Sequence, residues 1–406
     1  MTTTAGVPAT RLEHLVETVQ RLWPGHQVSL VRGSRPGGRE LVFVPSSTSP
    51  RLLVPAGHRA AMSAAMRRYS HSLSSADRAG RLVVATGLRL GVGGLLADRI
   101  RITPPAAGAE SIESHLSDVL GRPVLVSLGV GSARANQKPV LQVLTPSGRS
   151  IAYVKVGDTP LTARLVRGEA RALTAVGSRA WNRLETPRLF HLGSWHGLEL
   201  LVISALDTIA RPGPGPVLQP PLDALDELYD AFAAGAEPLA GTGYWRDLRA
   251  AAAEVADTAQ RQRYESSLAR IGRAAGDTRV ELTAWHGDCA PWNLAWRRGR
   301  VQLWDWERFA TGVPRGLDRV HYVFNTMARA AGFSAEVADA ALLGPHVRHP
   351  ACDAAGQRLL TVLYLASISA RYLVGSQTAT GEVLRPATAV VLDALVRHSE
   401  ILEAAS

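Results

Sequence analysis

The spacing of apolar residues in the first quarter of the chain predicts a small module that mixes helices and strands. Segments with apolar residues at every third or fourth position predict helices, and segments in which apolar and polar residues alternate predict strands. In order, the pattern predicts a helix at 11–22, strands at 26–31, 40–44 and 51–54, a helix at 58–72, and strands at 81–84 and 99–102. The run Pro104-Pro105-Ala106-Ala107-Gly108 predicts a linker, so we expect a first domain at residues 1–108.

The remaining chain divides into a strand-rich part and a helical part. After a helix at 111–120 the pattern predicts strands at 123–128, 140–144 and 151–156, a helix at 164–176, and strands near Leu189 and at 198–203. A segment rich in Pro and Gly follows at 211–221, and from Leu222 the spacing is largely helical. We therefore expect an α+β protein in which a small antiparallel sheet lobe at 109–206 and a helical lobe at 207–406 follow the N-terminal module.

Composition narrows the class of protein. The chain has 406 residues, of which 46% are hydrophobic and 20% charged, which is enough to bury a large core. It contains no apolar run of the roughly 20 residues that span a bilayer, and its start lacks the residue order of a secretory signal. The net charge of +10 is scattered rather than gathered into a basic stripe. We therefore expect a cytoplasmic protein with neither a membrane nor a nucleic-acid partner.

The basic residues are almost all arginines. Of the 45 Lys and Arg residues, only Lys138 and Lys155 are lysines. A chain with this bias is expected to keep lysine where a compact ammonium is needed, since the planar fork of arginine does not replace it there. Both lysines are therefore candidates for ligand contact.

One loop carries the residue types that phosphoryl transfer needs. The reaction requires a carboxylate that orients or deprotonates the attacking hydroxyl, oxygen ligands for a metal ion on the phosphates, and a cation that offsets negative charge. The loop reads His286-Gly287-Asp288-Cys289-Ala290-Pro291-Trp292-Asn293. Its carboxylate, Asp288, precedes an amide, Asn293, by five residues, and a short apolar strand at 301–304 leads to a second carboxylate, Asp305. Amide and carboxylate oxygens suit Mg²⁺.

These motifs resemble the aminoglycoside phosphotransferase and choline kinase superfamily. The resemblance rests on His286-Gly287-Asp288 with Asn293, followed by Trp304-Asp305-Trp306-Glu307, in the expected order and separation. It implies a bilobal protein-kinase-like fold that uses ATP and Mg²⁺, with Asp288 as catalytic base, Asn293 and Asp305 as Mg²⁺ ligands, and His286 as a buried strut. Gly312, Pro314 and Asp318 also match, and the last is expected to hold the loop after the metal-binding aspartate.

The resemblance also implies a lysine on a strand, paired with a glutamate on the next helix. Lys155 lies in the predicted strand at 151–156, where alternation puts it on the same face as Tyr153. Glu169 lies in the helix directly after that strand. We expect the pair to contact the phosphates of the nucleotide and to converge with Asp288 and Asp305 on one magnesium-nucleotide site.

Two further segments are candidates for nucleotide contact. Gly129, Gly131 and Ser132 lie between two predicted strands, where a backbone free of Cβ could approach phosphate. A plain hairpin loop explains the same glycines, because position 134 is arginine where protein kinases have a third glycine. Adenine is expected to contact backbone at 203–206, which includes Ser204 and Ala205.

The acceptor is expected to be a small hydroxylated molecule such as a sugar, an amino sugar or an aminoglycoside-like antibiotic. Trp292 and Glu307 are candidates for acceptor contact because the motif brings them to the site. The helix that contains Asp223, Asp226, Glu227 and Asp230 is either an acidic surface for a cationic acceptor or a solvated helix face.

Two questions stay open at this stage. The N-terminal module could cover the acceptor site, form a homodimer contact or bind another protein. The alternative to a kinase is a pseudokinase or nucleotide-sensing protein, which the presence of Lys155, Glu169, Asp288, Asn293 and Asp305 disfavours.

Overall fold

The computed structural model describes residues 9–34, 37–67, 75–105, 108–130, 138–208, 218–348 and 352–406. Within these ranges the helices are α1 (Ala9–Leu22), α2 (Arg59–Met66), α3 (Ser75–Leu90), α4 (Ile112–Leu120), α5 (Pro160–Gly177), α6 (Leu222–Ala231), α7 (Gly243–Ala251), α8 (Thr258–Ala275), α9 (Leu317–Ala331), α10 (Ala335–Leu343), α11 (Ala354–Gly375) and α12 (Arg385–Ala404). The strands are β1 (Gln27–Arg32), β2 (Arg39–Val44), β3 (Leu52–Pro55), β4 (Asp98–Thr103), β5 (Leu125–Gly129), β6 (Val140–Leu144), β7 (Ser150–Gly157), β8 (Leu184–Glu185), β9 (Leu189–Trp195), β10 (Leu198–Ser204), β11 (Ala236–Pro238), β12 (Arg279–Trp285), β13 (Leu294–Arg297), β14 (Arg300–Leu303) and β15 (Ala310–Pro314).

The chain forms two compact units, of which the first is built on one large sheet. This unit contains residues 1–132, 136–170 and 187–207. Among its described residues, nine antiparallel strands pair in the order β1-β4-β2-β3-β5-β6-β7-β10-β9. Strands β3 and β5 join the two halves of the sheet, with Leu53 opposite Leu128. All the strands predicted for the N-terminal module and for the sheet lobe, except the one at 81–84, therefore belong to a single sheet, while the three-domain division stays a prediction.

The two faces of this sheet are set by the alternation of side chains along each strand. In β7, Ala152, Val154 and Val156 are buried in a hydrophobic core that also takes residues from α1, α4 and β10. Because successive strand residues point to opposite faces, Tyr153 and Lys155 lie on the other face. This confirms the predicted placement of Lys155 beside Tyr153.

One predicted strand is wrong. The segment at 81–84 lies inside α3, where Leu82, Val83 and Val84 are exposed while Ala85 and Leu88 are buried. Burial at 85 and 88 follows helical spacing, and packing of this face overrides the strand preference of the two valines. A single 3₁₀ turn, Val92–Leu95, follows Gly91.

The second unit combines helices with two small three-stranded sheets. It contains residues 133–135, 171–186 and 208–406, and its sheets have the orders β11-β12-β15 and β13-β14-β8. Strand β12 leads into the loop at 286–293, and the hairpin of β13 and β14 follows it. Helices α9 and α11 supply further side chains to that loop. Within the described residues, each helix falls short of the length and apolar character that crossing a membrane would require.

Candidate active site

The loop after β12 contains a glycine at a position that strongly disfavours a side chain. Gly287 has a backbone φ of +78°, and a Cβ built on it would overlap the carbonyl oxygen of Arg308. Side chains are disfavoured at positive φ, and here the approach of Arg308 leaves no room for one. The tight turn that precedes Asp288 therefore has both a conformational and a steric cause.

A buried carboxylate holds this turn by its backbone. Asp318, at the start of α9, accepts hydrogen bonds from the backbone N–H of His286 at 2.6 Å and of Gly287 at 2.9 Å. Its side chain is fully buried, and this burial raises its pKa to about 7 although both N–H groups favour the charged form. The sequence led us to expect Asp318 at the loop after Asp305, whereas it holds the loop before Asp288.

His286 links the loop to the strand that carries the second carboxylate. Its Nδ1 accepts from the backbone N–H of Asp288 at 3.2 Å, and its Nε2 lies 3.1 Å from the carbonyl oxygen of Trp304, to which it donates. Burial lowers the pKa of His286 to about 4, so the ring is neutral and both bonds fit one tautomer. The ring of Trp306 packs against it edge-on at 4.6 Å. His286 thus has the geometry of the predicted strut.

The structure brings Asp288, Asn293 and Asp305 together. The Asn293 amide nitrogen donates to Asp288 Oδ2 at 2.7 Å and to the Asp288 carbonyl at 2.9 Å. The carbonyl oxygen of Asn293 accepts from the backbone N–H of Trp304 at 3.1 Å, which closes the hairpin of β13 and β14. Asp305 follows at once with φ +72° and ψ +56°. This left-handed backbone is uncommon for residues other than glycine and clusters at functional sites.

Three residues beside Asp288 were missed by the sequence analysis. His321 Nε2 in α9 lies 3.2 Å from Asp288 Oδ1, and the Tyr364 hydroxyl in α11 lies 3.4 Å from His321 Nδ1. Arg371 Nη2, also in α11, donates to the carbonyl of Gly287 at 2.8 Å. The sequence offered no signal that sets them apart, because His321 and Arg371 lie near other polar residues of their helices and Tyr364 lies in a largely apolar run.

These contacts set the charge of the Asp288 carboxylate. Burial acts to raise its pKa, but the hydrogen bond from His321 and the positive charge of Arg371 hold the pKa below its usual value. The carboxylate is therefore ionised at neutral pH and able to accept a proton. Its neighbour Cys289 is fully buried, and burial raises the pKa of that thiol, so it is not an activated nucleophile.

The first unit holds the other candidate group. Lys155 Nζ in β7 contacts both carboxylate oxygens of Glu169 in α5, each at 2.6 Å. Glu169 is fully buried, and Lys155 is 9% exposed. The predicted pairing is confirmed as a contact, while the role of the pair at a nucleotide stays a prediction.

The other residues predicted to contact the nucleotide lie in three different kinds of place. Gly129 is the last residue of β5 and pairs with Val140, so it belongs to the strand rather than to the loop. Gly131 and Ser132 lie outside the described residues. The Ser204 hydroxyl accepts from the backbone N–H of Arg188, and the N–H of Ala205 donates to the carbonyl of Ile151.

The two residues predicted to contact the acceptor, Trp292 and Glu307, each lie beside an arginine of the protein. The guanidinium carbon of Arg329 lies 4.9 Å from the centroid of the Trp292 ring, so one ring face is covered. Glu307 is half-buried beside Arg308, with Oε1 3.8 Å from Nε. Contact of Trp292 and Glu307 with an acceptor stays a prediction.

The acidic residues of helix α6 lie on a largely solvated face, as in one of the two alternatives considered from the sequence, and several of them also contact protein groups. Asp226 and Asp230 pair with Arg315 at 3.2 and 2.7 Å. Glu227 accepts hydrogen bonds from three consecutive backbone N–H groups at 182–184. Asp226, Glu227 and Asp230 thus all bind groups of the second unit.

Comparison with known proteins agrees with this architecture. No family model and no curated protein sequence matches the chain. A thermostable mutant of aminoglycoside phosphotransferase APH(4)-Ia, solved in ternary complex with ADP and hygromycin B, is similar in structure with 18% sequence identity and a TM-score of 0.50; the match covers 71% of this chain and 99% of that one. Choline kinase LicA from Streptococcus pneumoniae matches with 13% identity and a TM-score of 0.43, over 70% of this chain and 98% of that one. The predicted protein-kinase-like α+β fold is therefore confirmed, and it is the fold of the superfamily that the motifs resemble.

Proposed function

We propose that this protein is a small-molecule kinase that transfers the γ-phosphoryl group of ATP to a hydroxyl of its acceptor. The observation that carries the proposal is the joint arrangement of Asp288, Asn293 and Asp305 at one loop and one hairpin. The fold supports it, and the similar aminoglycoside phosphotransferase was solved with ADP and hygromycin B. Acceptors of the same general kind are sugars, amino sugars, aminoglycoside-like antibiotics and related metabolites.

Asp288 is the proposed base. In the reaction the acceptor oxygen forms a bond to the γ-phosphorus, the bond from that phosphorus to the bridging oxygen of ADP breaks, and the hydroxyl proton passes to Asp288. The carboxylate side chain is 32% exposed, so an acceptor hydroxyl can reach it. It is ionised, and its backbone is held through His286 and Asn293. Positioning of this kind is the main protein contribution to phosphoryl transfer.

Asn293 and Asp305 fit the role of Mg²⁺ ligands. Since the amide nitrogen of Asn293 is bound to Asp288, its oxygen is the atom left for a cation. Asp305 directly follows Trp304, whose backbone N–H binds the Asn293 carbonyl, and it adds a carboxylate. The amide oxygen of Asn293 and the carboxylate of Asp305 are hard oxygen donors of the kind that Mg²⁺ prefers. A bound ion would offset negative charge on the phosphates. The hydrogen bond from the Asn293 amide nitrogen to Asp288 orients the Asn293 side chain, and the bond from the Trp304 N–H to the Asn293 carbonyl closes the hairpin.

Lys155 is the proposed phosphate-binding cation, with Glu169 holding its ammonium in place. The two contacts at 2.6 Å fix the end of a side chain that is otherwise flexible. Ser204 and Ala205 are proposed to lie near the base, and Trp292 and Glu307 near the acceptor.

The test is an ATP-dependent mass-shift screen of hydroxylated metabolites and antibiotics. We expect at least one acceptor to gain a single phosphate in the presence of Mg²⁺ and ATP, and to gain none with Asp288→Asn protein. Binding of Mg²⁺-ATP, measured by thermal shift, should persist in that variant. A protein that binds Mg²⁺-ATP yet modifies no acceptor would instead be the pseudokinase alternative.

A further inference from the structure

A buried histidine contacts the carboxylate of Asp288 and has no role in the function proposed above. His321 lies one turn into α9 with its side chain 2% exposed, surrounded by buried residues of that helix. Its Nε2 is 3.2 Å from Asp288 Oδ1. A buried imidazole aimed at a carboxylate is a costly arrangement unless its polar atoms are paired, so the partners of both ring nitrogens decide what it does.

The ring partners select one tautomer. An ionised Asp288 can only accept, so Nε2 must carry the proton. Burial lowers the pKa of His321, which favours the neutral ring, and with the proton on Nε2 the other nitrogen, Nδ1, is an acceptor. The Tyr364 hydroxyl at 3.4 Å is placed to donate to Nδ1. Asn325 Nδ2 is 3.2 Å from both ring nitrogens and donates to the His321 carbonyl at 2.9 Å, so it packs against the ring without distinguishing the nitrogens.

The same contacts hold the carboxylate from two sides. Oδ1 of Asp288 accepts from His321, and Oδ2 accepts from the Asn293 amide at 2.7 Å. The two donors come from different segments, α9 and the loop itself. Together they fix the plane of the carboxylate, which a single donor would leave free to rotate. Each oxygen keeps a lone pair for an acceptor hydroxyl.

We propose that His321 is a positioning residue, which orients the carboxylate of Asp288 through its Nε2–H while Tyr364 maintains the tautomer. This inference rests on the proposed function, because it assigns His321 to the same transfer step. The proton of the acceptor hydroxyl moves to Asp288, and His321 keeps its own proton throughout. The alternative is a histidine that only fills space in α9, and the experiment must separate the two.

The matched pair of variants is His321→Gln and His321→Asn. The glutamine amide nitrogen overlies Nε2 and still reaches Asp288, whereas the shorter asparagine overlies Nδ1 and does not. A hydrogen bond to a charged group is lost only in the second variant, so we expect kcat to fall about 10- to 100-fold with Asn and to stay within about fivefold of wild type with Gln. The KM for Mg²⁺-ATP should change little in either variant, because the His321 side chain is 2% exposed and its ring contacts are protein groups.

His398 in α12 provides the control. It is a buried histidine whose Nε2 lies 3.3 Å from Asp339 Oδ1, so it forms the same kind of pair away from the loop. We expect His398→Asn to lower thermal stability without lowering kcat. If His321→Asn does not fold, Tyr364→Phe takes its place, with an expected few-fold fall in kcat at an unchanged KM for Mg²⁺-ATP.

The outcomes are distinct. Equal kcat values for wild type, His321→Gln and His321→Asn would overturn the inference, as would a loss of kcat that glutamine does not restore while it does restore stability. Failure of wild-type protein to transfer phosphate to any acceptor would overturn the proposed function, and the inference would fall with it. Active wild-type protein together with an unaffected His321→Asn variant would overturn the inference alone.

Discussion

The Lys155–Glu169 pair and the loop at Asp288 are both buried polar groups, but they are held in different ways. The pair joins a strand to the helix that follows it, 14 residues later, through one side-chain contact. The loop depends on Asp318, His321 and Arg371, which lie 31, 33 and 84 residues beyond their partners. Several of its contacts are made by backbone N–H and carbonyl groups rather than by side chains.

Because the two regions are held differently, a substitution should affect the Lys155–Glu169 pair and the loop at Asp288 in different ways. An ion pair between two side chains is lost when either partner is removed, and the other partner keeps a buried charge with less compensation. A network of backbone and side-chain bonds can lose one member and keep its shape, while its reactive group loses position. The two regions should therefore differ in whether stability and activity fall together.

The largest expected effect is the loss of the base. Asp288→Asn keeps the size of the side chain and removes the proton acceptor, so we expect activity to fall by about 10²- to 10⁴-fold. Initial rates of ATP-dependent transfer to the best acceptor measure it. Asp247→Asn is the control, since Asp247 is an exposed acid in the same unit. A variant at 288 that retains wild-type rates would refute the mechanism.

Removal of the ammonium is expected to affect both stability and transfer. Lys155→Met leaves the fully buried Glu169 without its partner, which should lower the free energy of unfolding by roughly 3–5 kcal/mol. The double variant Lys155→Met with Glu169→Leu should recover most of that stability, because the unpaired charge is gone. Transfer should stay lost in both variants, which denaturant melts and rate assays together can test. Recovery of transfer along with stability would mean that the pair is structural only.

A smaller effect tests the steric cause of the turn. Gly287 and Gly299 have nearly the same φ, +78° and +77°, but a Cβ at 299 would meet open space. Both Gly→Ala variants carry the cost of a positive φ, and only Gly287→Ala also meets Arg308. We expect Gly287→Ala to be less stable than Gly299→Ala by about 1–3 kcal/mol in chemical unfolding. Equal losses would show that the close approach is not limiting.

The smallest expected effect is a pH dependence from Asp318. Its pKa in the folded protein is raised to about 7, above its value in an unfolded chain, so the folded state retains a proton that the unfolded state releases. The contribution to stability is complete below about pH 4 and is lost as the pH rises through 7. Asp318→Asn should therefore remove part of the decline in unfolding free energy over this window, by less than about 1.4 kcal/mol per pH unit. Parallel pH profiles for the two proteins would contradict the raised pKa.

Short-range patterns predicted the features that depend on neighbours along the chain. Alternation in β7 placed Lys155, and the following helix placed Glu169, because a strand and the next helix have few ways to pack. The strand predicted at 81–84 failed for the opposite reason, since two valines have a local strand preference that tertiary packing of α3 overrides. Gly129 was expected in a loop and lies in β5, where its pairing with β6 decides the boundary.

The sequence by itself determined which candidate groups are present and in what order, because Asp288, Asn293 and Asp305 occur within one segment at fixed spacing. The tertiary structure alone decided which groups hold them. His321 and Arg371 are two of several polar residues in α9 and α11, and neither spacing nor composition relates them to a loop that they meet only after these helices have packed. The physical reason is that a hydrogen bond depends on distance and direction in space, which a linear pattern specifies only over a few neighbouring residues.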